Sequence, residues 1–96
     1  EQARITVLNG TFAGALASTT QDYLKNQGAN VIATGDGEKV TYTRVIDYTG
    51  NPYTLRYLVD LMKITPYSIF SEYDPTSQVD VVVLLGDDWA GNNPMP

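Results

Sequence analysis

The chain has 96 residues, 43% of them hydrophobic, and its six basic and eleven acidic residues give a net charge of −5. This length suits one domain with a modest core. The basic residues are scattered singly, so the sequence lacks the basic stripe that proteins use to bind nucleic acids or anionic membranes. The chain has no cysteine and no histidine, which excludes disulfides, thiolate metal sites and the commonest general base.

Two periodicities divide the chain into strands and helices. Apolar and polar residues alternate in the strand candidates, as around Ile5, whereas leucines such as Leu16 and Leu24 recur at helical spacing. Pro52 suits the first position of a second helix, with Asn51 as its N-cap. In chain order the sequence predicts a strand over 4–9, a helix over 13–24, strands over 30–34 and 40–48, a helix over 52–63 and a strand over 79–85.

This β-α-β-β-α-β order predicts an α+β fold of the split-βαβ, ferredoxin-like type, with two helices on one face of a four-stranded antiparallel sheet. Right-handed crossovers would place the first and third strands in the centre and the last strand at an edge. Residues 1–89 are expected to form one domain and residues 90–96 a flexible tail. Because the chain begins with Glu1 rather than Met, we expect it to be a fragment of a longer protein. The core is predicted to contain Ile5, Val7, Leu16, Leu24, Val31, Leu55, Val59, Met62, Val81 and Val83.

The most distinctive turn joins the first strand to the first helix and contains Asn9, Gly10 and Gly14. A glycine turn before a helix can bind phosphate, because free amides and the helix dipole favour an anion. However, the spacing matches neither the dinucleotide fingerprint nor the P-loop. We therefore favour the alternative that these residues shape the turn and let the helix pack closely.

Four aspartates near the chain end could suggest a metal site, namely Asp74, Asp80, Asp87 and Asp88. Their spacing is not that of an EF-hand, so we interpret them as solvated carboxylates and expect neither a metal nor a cofactor. Without histidine, no serine has a recognisable activating base, and a domain this small offers little cleft for a pair of catalytic carboxylates. The domain is therefore predicted to be non-catalytic.

Seven tyrosines, six of them between residues 42 and 73, favour a contact surface. A tyrosine ring can stack on a sugar or pack against a protein, although partial burial at the sheet margins is the alternative. We predict that Tyr42, Arg44 and Tyr48 point away from the helices, because Arg44 beneath them would lose its hydration. With Thr6 of the first strand they form the predicted ligand-binding surface.

Several segments, in order over residues 5–89, carry a resemblance to a known family: I-T-V-L-N-G-T, G-A-L-A, Q-G-A-N-V, G-N-P and finally V-D-V-V-V-L-L-G-D-D-W. The chain resembles the LytR C-terminal domain family. The resemblance implies an accessory domain of a bacterial cell-envelope protein, on the outer side of the membrane. Such domains typically follow a membrane-anchored LytR-CpsA-Psr catalytic domain, which attaches glycopolymers to peptidoglycan. The resemblance supplies no catalytic residue.

We therefore expect an extracytoplasmic binding module whose partner is peptidoglycan, a cell-wall glycopolymer or the neighbouring catalytic domain. Nucleic-acid binding and direct membrane insertion are not expected. The alternative is a structural or protein-interaction domain that dimerises or orients the enzyme, and an enzyme fragment is a weaker alternative. Trp89, after the last strand, could cap the core or contact a neighbouring domain.

Overall fold

The computed structural model describes residues 3–95 and contains one mixed sheet of five strands. The strand order is β2-β1-β5-β3-β4, in which β3 and β5 are antiparallel and the other three neighbouring pairs are parallel. In chain order the elements are β1 (Ile5–Asn9), α1 (Leu16–Asn26), β2 (Val31–Asp36), β3 (Arg44–Asp47), α2 (Pro52–Met62), a 3-10 turn (Pro66–Ser68), β4 (Ile69–Ser71), β5 (Val81–Leu85) and α3 (Asp87–Gly91).

The α+β class is confirmed, but the four-stranded antiparallel, ferredoxin-like arrangement is wrong. The last strand, β5, lies in the centre rather than at an edge, and all five of its residues are buried. A continuous apolar run is the pattern of a strand with neighbours on both sides, so this run belongs inside the sheet. The three-residue strand β4 lies in a segment that was predicted to be a loop.

Helices α1 and α2 each connect two parallel, adjacent strands, β1 to β2 and β3 to β4. The two crossovers start from antiparallel strands and move in opposite directions, so right-handed connections put both helices on the same face. All ten predicted core residues lie in the resulting core or pack against it, although Leu55 and Val59 are only partly buried.

The helix boundaries differ from the prediction for local reasons. Helix α1 begins at Leu16 because Ala15 adopts a left-handed conformation, with φ of 61°. Asn51 does not cap α2 through its side chain, contrary to the prediction. Instead, the buried carboxylate of Asp47 accepts hydrogen bonds from the amides of Gly50 and Asn51 and from the Asn51 side chain. The strand end therefore holds the turn that precedes the helix.

The segment after β5 packs against the core. Trp89 in α3 is 3% exposed, and its indole Nε1 donates to Thr20 Oγ1 at 2.9 Å. Met95 contacts the core, and the Asn93 side chain donates to the Trp89 carbonyl. The domain boundary at residue 89 stays a prediction. The flexibility of residues 90–96 also stays a prediction, which these contacts do not favour. Glu1, Gln2 and Pro96 lie outside the described residues. Between Ala3 and Met95, no helix is both long and apolar enough to cross a membrane.

Candidate functional site

The face of the sheet opposite the helices carries two rows of side chains. The pairing register aligns Thr6 with Val82 and Ile46, and Leu8 with Leu84 and Arg44. Arg44 therefore lies on the face that was predicted for it, whereas Val45 beside it is part of the core. Val82 and Leu84 are buried on this face, and Leu84 lies directly beside Gly37. The middle of the face therefore exposes little apolar surface to a ligand.

An open groove of about 620 Å³ lies at one end of this face, beside the start of β3. We call it the aromatic groove and define it by Glu38, Tyr42, Arg44, Tyr67 and Phe70. Tyr42 precedes β3, while Tyr67 and Phe70 come from the 3-10 turn and β4. The three aromatic residues are 62%, 94% and 41% exposed, respectively. Exposed rings around a groove of this volume form the kind of surface that binds ligands or partners.

The charged side chains at the groove already have partners. Arg44 Nη1 lies 3.2 Å from Glu38 Oε1, and the guanidinium carbon lies 6.0 Å from the Phe70 ring centroid. Lys39, which also lines the groove, donates from Nζ to the carbonyl oxygen of Thr11 at 2.7 Å. The groove therefore offers a carboxylate beside its cations, not a free positive patch.

Hydrogen bonds fix the backbone on both sides of the groove. Thr43, next to Tyr42, donates its amide to Asp88 Oδ1 at 2.9 Å, and its hydroxyl accepts the Gly86 amide at 3.0 Å. On the other side, the Ser68 amide donates to the Thr65 carbonyl at 3.0 Å within the 3-10 turn. The ring-bearing residues are thus mounted on an ordered backbone, which reduces the entropy lost when a ligand binds.

The structure brings together two of the four predicted ligand-binding residues, Tyr42 and Arg44. Thr6 lies on β1, two strands away from β3, where it pairs with Val82. Tyr48 follows the opposite end of β3, and its amide donates to the Asp80 carbonyl at 2.9 Å. Neither Thr6 nor Tyr48 lines the groove.

Sequence reasoning missed the contribution of Tyr67 and Phe70. Tyr67 was counted among the tyrosines, but its segment was interpreted as a loop without a partner. The signal that could have placed it was the short run Ile69–Ser71, whose apolar and aromatic residues suit a strand. This run pairs with residues 45–47 and so brings both rings to the start of β3.

The predicted turn motif is a closed hydrogen-bond network. Asn9 Oδ1 accepts the amide and the hydroxyl of Thr11, and Thr11 Oγ1 accepts the Ala13 amide. The Gly10 amide donates to the Leu85 carbonyl. Because three amides of the turn are thereby occupied, the motif shapes the chain and leaves little for a phosphate to bind.

The two glycines of this turn have different roles. A Cβ on Gly10 would lie 2.6 Å from the Leu85 carbonyl oxygen and 2.7 Å from that of Glu38, so this position requires glycine for close approach. A Cβ on Gly14 would meet no atom within 4 Å. The prediction of close packing at Gly14 is therefore wrong, because the chain turns away there before α1 begins.

The closing segment G-D-D-W also combines a close backbone contact at a glycine with hydrogen bonds from its own side chains. A Cβ on Gly86 would lie 2.5 Å from the carbonyl carbon of Tyr42, so the backbone before β3 rests directly on this glycine. Asp88 Oδ1 accepts the amide and hydroxyl of Thr43 as well as the Trp89 amide. Of the two roles left open for Trp89, the structure shows that it caps the core of its own domain.

The acidic residues near the chain end do not converge. Asp80 accepts hydrogen bonds from the backbone and guanidinium of Arg4 and from the Thr49 hydroxyl, and those from Arg4 hold the pKa of Asp80 well below its usual range. Asp74 accepts hydrogen bonds within its own turn, and the other two aspartates lie in α3. Among residues 3–95, no three acidic side chains are grouped so that they could hold a metal ion.

A smaller depression of about 350 Å³ lies between the end of α1 and the start of α2. Tyr57 is part of its wall, and the Tyr57 hydroxyl donates to the Gln27 carbonyl. None of the predicted ligand-binding residues lines this depression. The aromatic groove is therefore the candidate site on which sequence and structure converge.

Comparison with known proteins places the chain in a family. The sequence profile of the family described as LytR cell envelope-related transcriptional attenuator matches residues 2–89, nearly the whole chain. The chain is a member of the LytR C-terminal domain family. Two of the segments that carry the resemblance, V-L-N-G-T and V-D-V-V-V-L-L-G-D-D-W, include the second half of β1 and the whole of β5, which are adjacent and parallel. In this LytR C-terminal domain these segments therefore lie at the centre of the sheet and in the turns that follow its two strands.

A solved structure has the same fold at low sequence identity. It is the soluble domain of a conserved hypothetical secreted protein from Mycobacterium marinum, with a TM-score of 0.73 and 20% identity. The match covers 90% of this chain and 60% of the other, so the LytR C-terminal domain spans about three fifths of that structure. No curated protein matches the sequence significantly.

Proposed function

We propose that the domain is a non-catalytic accessory module of a cell-envelope protein and that it binds a cell-wall glycan, either peptidoglycan or a glycopolymer, in the aromatic groove. One observation carries the proposal: the rings of Tyr42, Tyr67 and Phe70 are exposed around a single groove whose polar groups include the ion pair of Arg44 and Glu38. A sugar ring has an apolar face and a polar rim. Aromatic rings complement the first and a guanidinium with a carboxylate complements the second.

The arrangement of the charged groups supports binding rather than catalysis. Glu38 and Arg44 form an ion pair with each other, in which the Glu38 side chain is largely exposed and the Arg44 side chain is partly buried. A catalytic carboxyl group is usually set apart by burial or by a second carboxyl group at a defined separation. Glu38 is exposed, and no second carboxyl group is among the residues that line the groove beside Arg44 and the aromatic rings.

The family and the fold support a location in the cell envelope. The matched family is described as cell envelope-related, and the solved structure of the same fold belongs to a protein described as secreted. We place the domain outside the cytoplasmic membrane, in a parent protein that is membrane-anchored and carries a LytR-CpsA-Psr catalytic domain. That neighbouring domain is a further partner within this proposal.

A second candidate function is protein interaction, and the edge strand β2 supports it. Strand β2 pairs with β1 on one side only, and Ile32 near its start is 47% exposed. Unpaired strand edges can join a strand of another chain. The pairing of β1 with β2 shifts in register between Ile5 and Thr6. This irregularity distorts β2 and makes its free edge a poorer template for pairing.

The experiment is co-sedimentation of the purified domain with peptidoglycan sacculi. The variant Tyr42→Ala/Tyr67→Ala should fold normally and should lose about tenfold in affinity, as expected when aromatic anchors of a binding site are truncated. Tyr73→Ala is the matched control, because Tyr73 is 74% exposed but lies outside the groove. Equal retention of the wild type, Tyr42→Ala/Tyr67→Ala and Tyr73→Ala would contradict the groove as the binding site. No sedimentation of the wild type with sacculi, together with dimerisation in analytical ultracentrifugation, would favour the second candidate.

A further inference from the structure

We infer that the aromatic groove takes an uncharged run of pyranose sugars, with hydroxyl or acetamido groups, and discriminates against phosphate-rich or carboxylate-rich chains. This inference rests on the proposed function and adds the chemical class of its ligand. It follows from the charges at the groove and from the partners that those charges already have.

The cations of the groove are not available as an anion site. The Arg44 guanidinium lies against Glu38, and a phosphate or carboxylate at Arg44 would approach the Glu38 carboxylate as well. Lys39 also lines the groove, but its ammonium already donates to the Thr11 carbonyl and lies 4.8 Å from the Phe12 ring centroid. An anionic ligand would therefore have to displace these contacts and tolerate a like charge, whereas a neutral one would not.

The polar groups of the groove suit a ligand that both donates and accepts hydrogen bonds. Glu38 can accept hydrogen bonds from hydroxyl groups, and the N–H groups of Arg44 that face away from Glu38 can donate to hydroxyl or acetamido oxygens. An ionised phosphate diester only accepts hydrogen bonds, so it would offer no donor to the Glu38 carboxylate. The rings of Tyr42, Tyr67 and Phe70 are indifferent to ligand charge and would stack on any sugar.

The charge of the whole chain acts in the same direction. With a net charge of −5, the domain repels a polyanion at distances up to roughly the Debye length, which is about 8 Å at physiological ionic strength. A neutral oligosaccharide experiences no such repulsion. The two ligand classes should therefore differ in how salt affects their binding as well as in affinity.

The test compares chitohexaose, a neutral oligomer of N-acetylglucosamine, with poly(glycerol phosphate) by isothermal titration calorimetry and by chemical shifts of the groove residues. Chitohexaose should bind at least about tenfold more tightly, the ratio expected from one like-charge contact. Its affinity should be unchanged when the salt concentration is raised about tenfold, because the ligand carries no charge. Binding of poly(glycerol phosphate), if measurable, should strengthen with salt as the repulsion is screened.

A charge-matched pair of variants separates the local effect of Glu38 from net charge. Glu38→Gln removes the carboxylate from the groove, and Glu72→Gln removes the same charge at an exposed position outside it. Glu38→Gln should raise the affinity for poly(glycerol phosphate) by about two- to fivefold over Glu72→Gln, the range expected for an exposed ion pair. Glu38→Gln should bind chitohexaose about two- to fivefold more weakly than Glu72→Gln, because a neutral amide oxygen accepts hydrogen bonds from sugar hydroxyl groups less strongly than a carboxylate.

The outcomes distinguish this inference from the proposed function. Tighter binding of poly(glycerol phosphate) than of chitohexaose in the groove, or equal effects of the two variants, would overturn the inference and leave the groove as a glycan site. If neither ligand binds and sacculi are not retained either, the proposed function fails and the inference fails with it. Preferential, salt-independent binding of chitohexaose that is lost in Tyr42→Ala/Tyr67→Ala supports both.

Discussion

Two regions at the same end of the sheet differ in almost every physical respect. The turn region, formed by Asn9, Gly10 and Thr11 together with the closing segment 86–89, is internally hydrogen-bonded and buried except at Asp87 and Asp88. The aromatic groove beside it is open and exposes its rings. The segments most specific for the family fall in the first region, and the second consists of residues that no motif singled out. A conspicuous motif thus marks what holds the chain together, while the ligand surface is carried by ordinary exposed side chains.

The largest expected difference between the regions is the stability effect of removing an aromatic ring. Trp89→Ala should lower the free energy of unfolding by about 3–5 kcal/mol, because it empties a core position and leaves the Thr20 hydroxyl without its donor. Tyr67→Ala, at a residue that is 94% exposed, should change stability by less than about 0.5 kcal/mol. Urea denaturation of both variants checks this. Comparable losses would remove the distinction between a structural and a functional region.

Glycine substitutions test the close contacts of the turn region. Gly86→Ala should cost roughly 2–3 kcal/mol, because the new Cβ would press on the backbone of Tyr42 and Thr43, which cannot move freely. Gly14→Ala, where the new methyl group meets nothing within 4 Å, should be close to neutral. Denaturation midpoints measure both. Equal midpoints for the two variants would show that the chain before β3 does not rest on Gly86.

A smaller effect concerns the ion pair between Arg4 and Asp80, at the other end of β5. The pKa of Asp80 is lowered in the folded state, chiefly by hydrogen bonds from Arg4, so its contribution is present above the unfolded value of about 3.9 and is lost as the pH falls below it. Arg4 is 47% exposed, and screening should limit the contribution to about 1 kcal/mol. Asp80→Asn should therefore destabilise the domain at pH 7, and its difference from the wild type should shrink progressively as the pH falls from about 4 to 2. A constant difference across this range would contradict the linkage.

The smallest stability effect is expected at the groove's own ion pair. Arg44→Gln should change the free energy of unfolding by less than about 1 kcal/mol, because the ion pair is accessible to solvent and the largely exposed Glu38 can be solvated when Arg44 is gone. Arg44→Leu serves as a second variant, since it keeps the aliphatic stem of the side chain that packs on the sheet. A loss above about 2 kcal/mol in both variants would assign Arg44 to the support of the fold rather than to ligand binding.

The sequence by itself determined the two long helices, four of the five strands and the core, but not the short helix α3. These follow from the spacing of apolar residues, every 3.6 residues in a helix and every second residue in a strand. The spacing shows which face of an element is buried, regardless of what packs against it, as for Leu24 and Val83. It also determined the face of Arg44, because a charge without a partner is expelled from beneath the helices. The family pattern reflects the same local requirements, with Gly10 and Gly86 at positions where the backbones touch.

Only the tertiary structure decided the order of the strands and the groove. The order of the strands depends on which strand edges pair, and the periodicity of a sequence carries no information about that. The prediction therefore placed β5 at the edge of the sheet, although its run of five apolar residues fits the centre. Strand β4 has three residues, too few for a period to show, and it forms because β3 offers it a partner. The aromatic groove depends on that pairing. Tyr67 and Phe70 are distant from Tyr42 and Arg44 in the sequence and come close to them only in the folded domain.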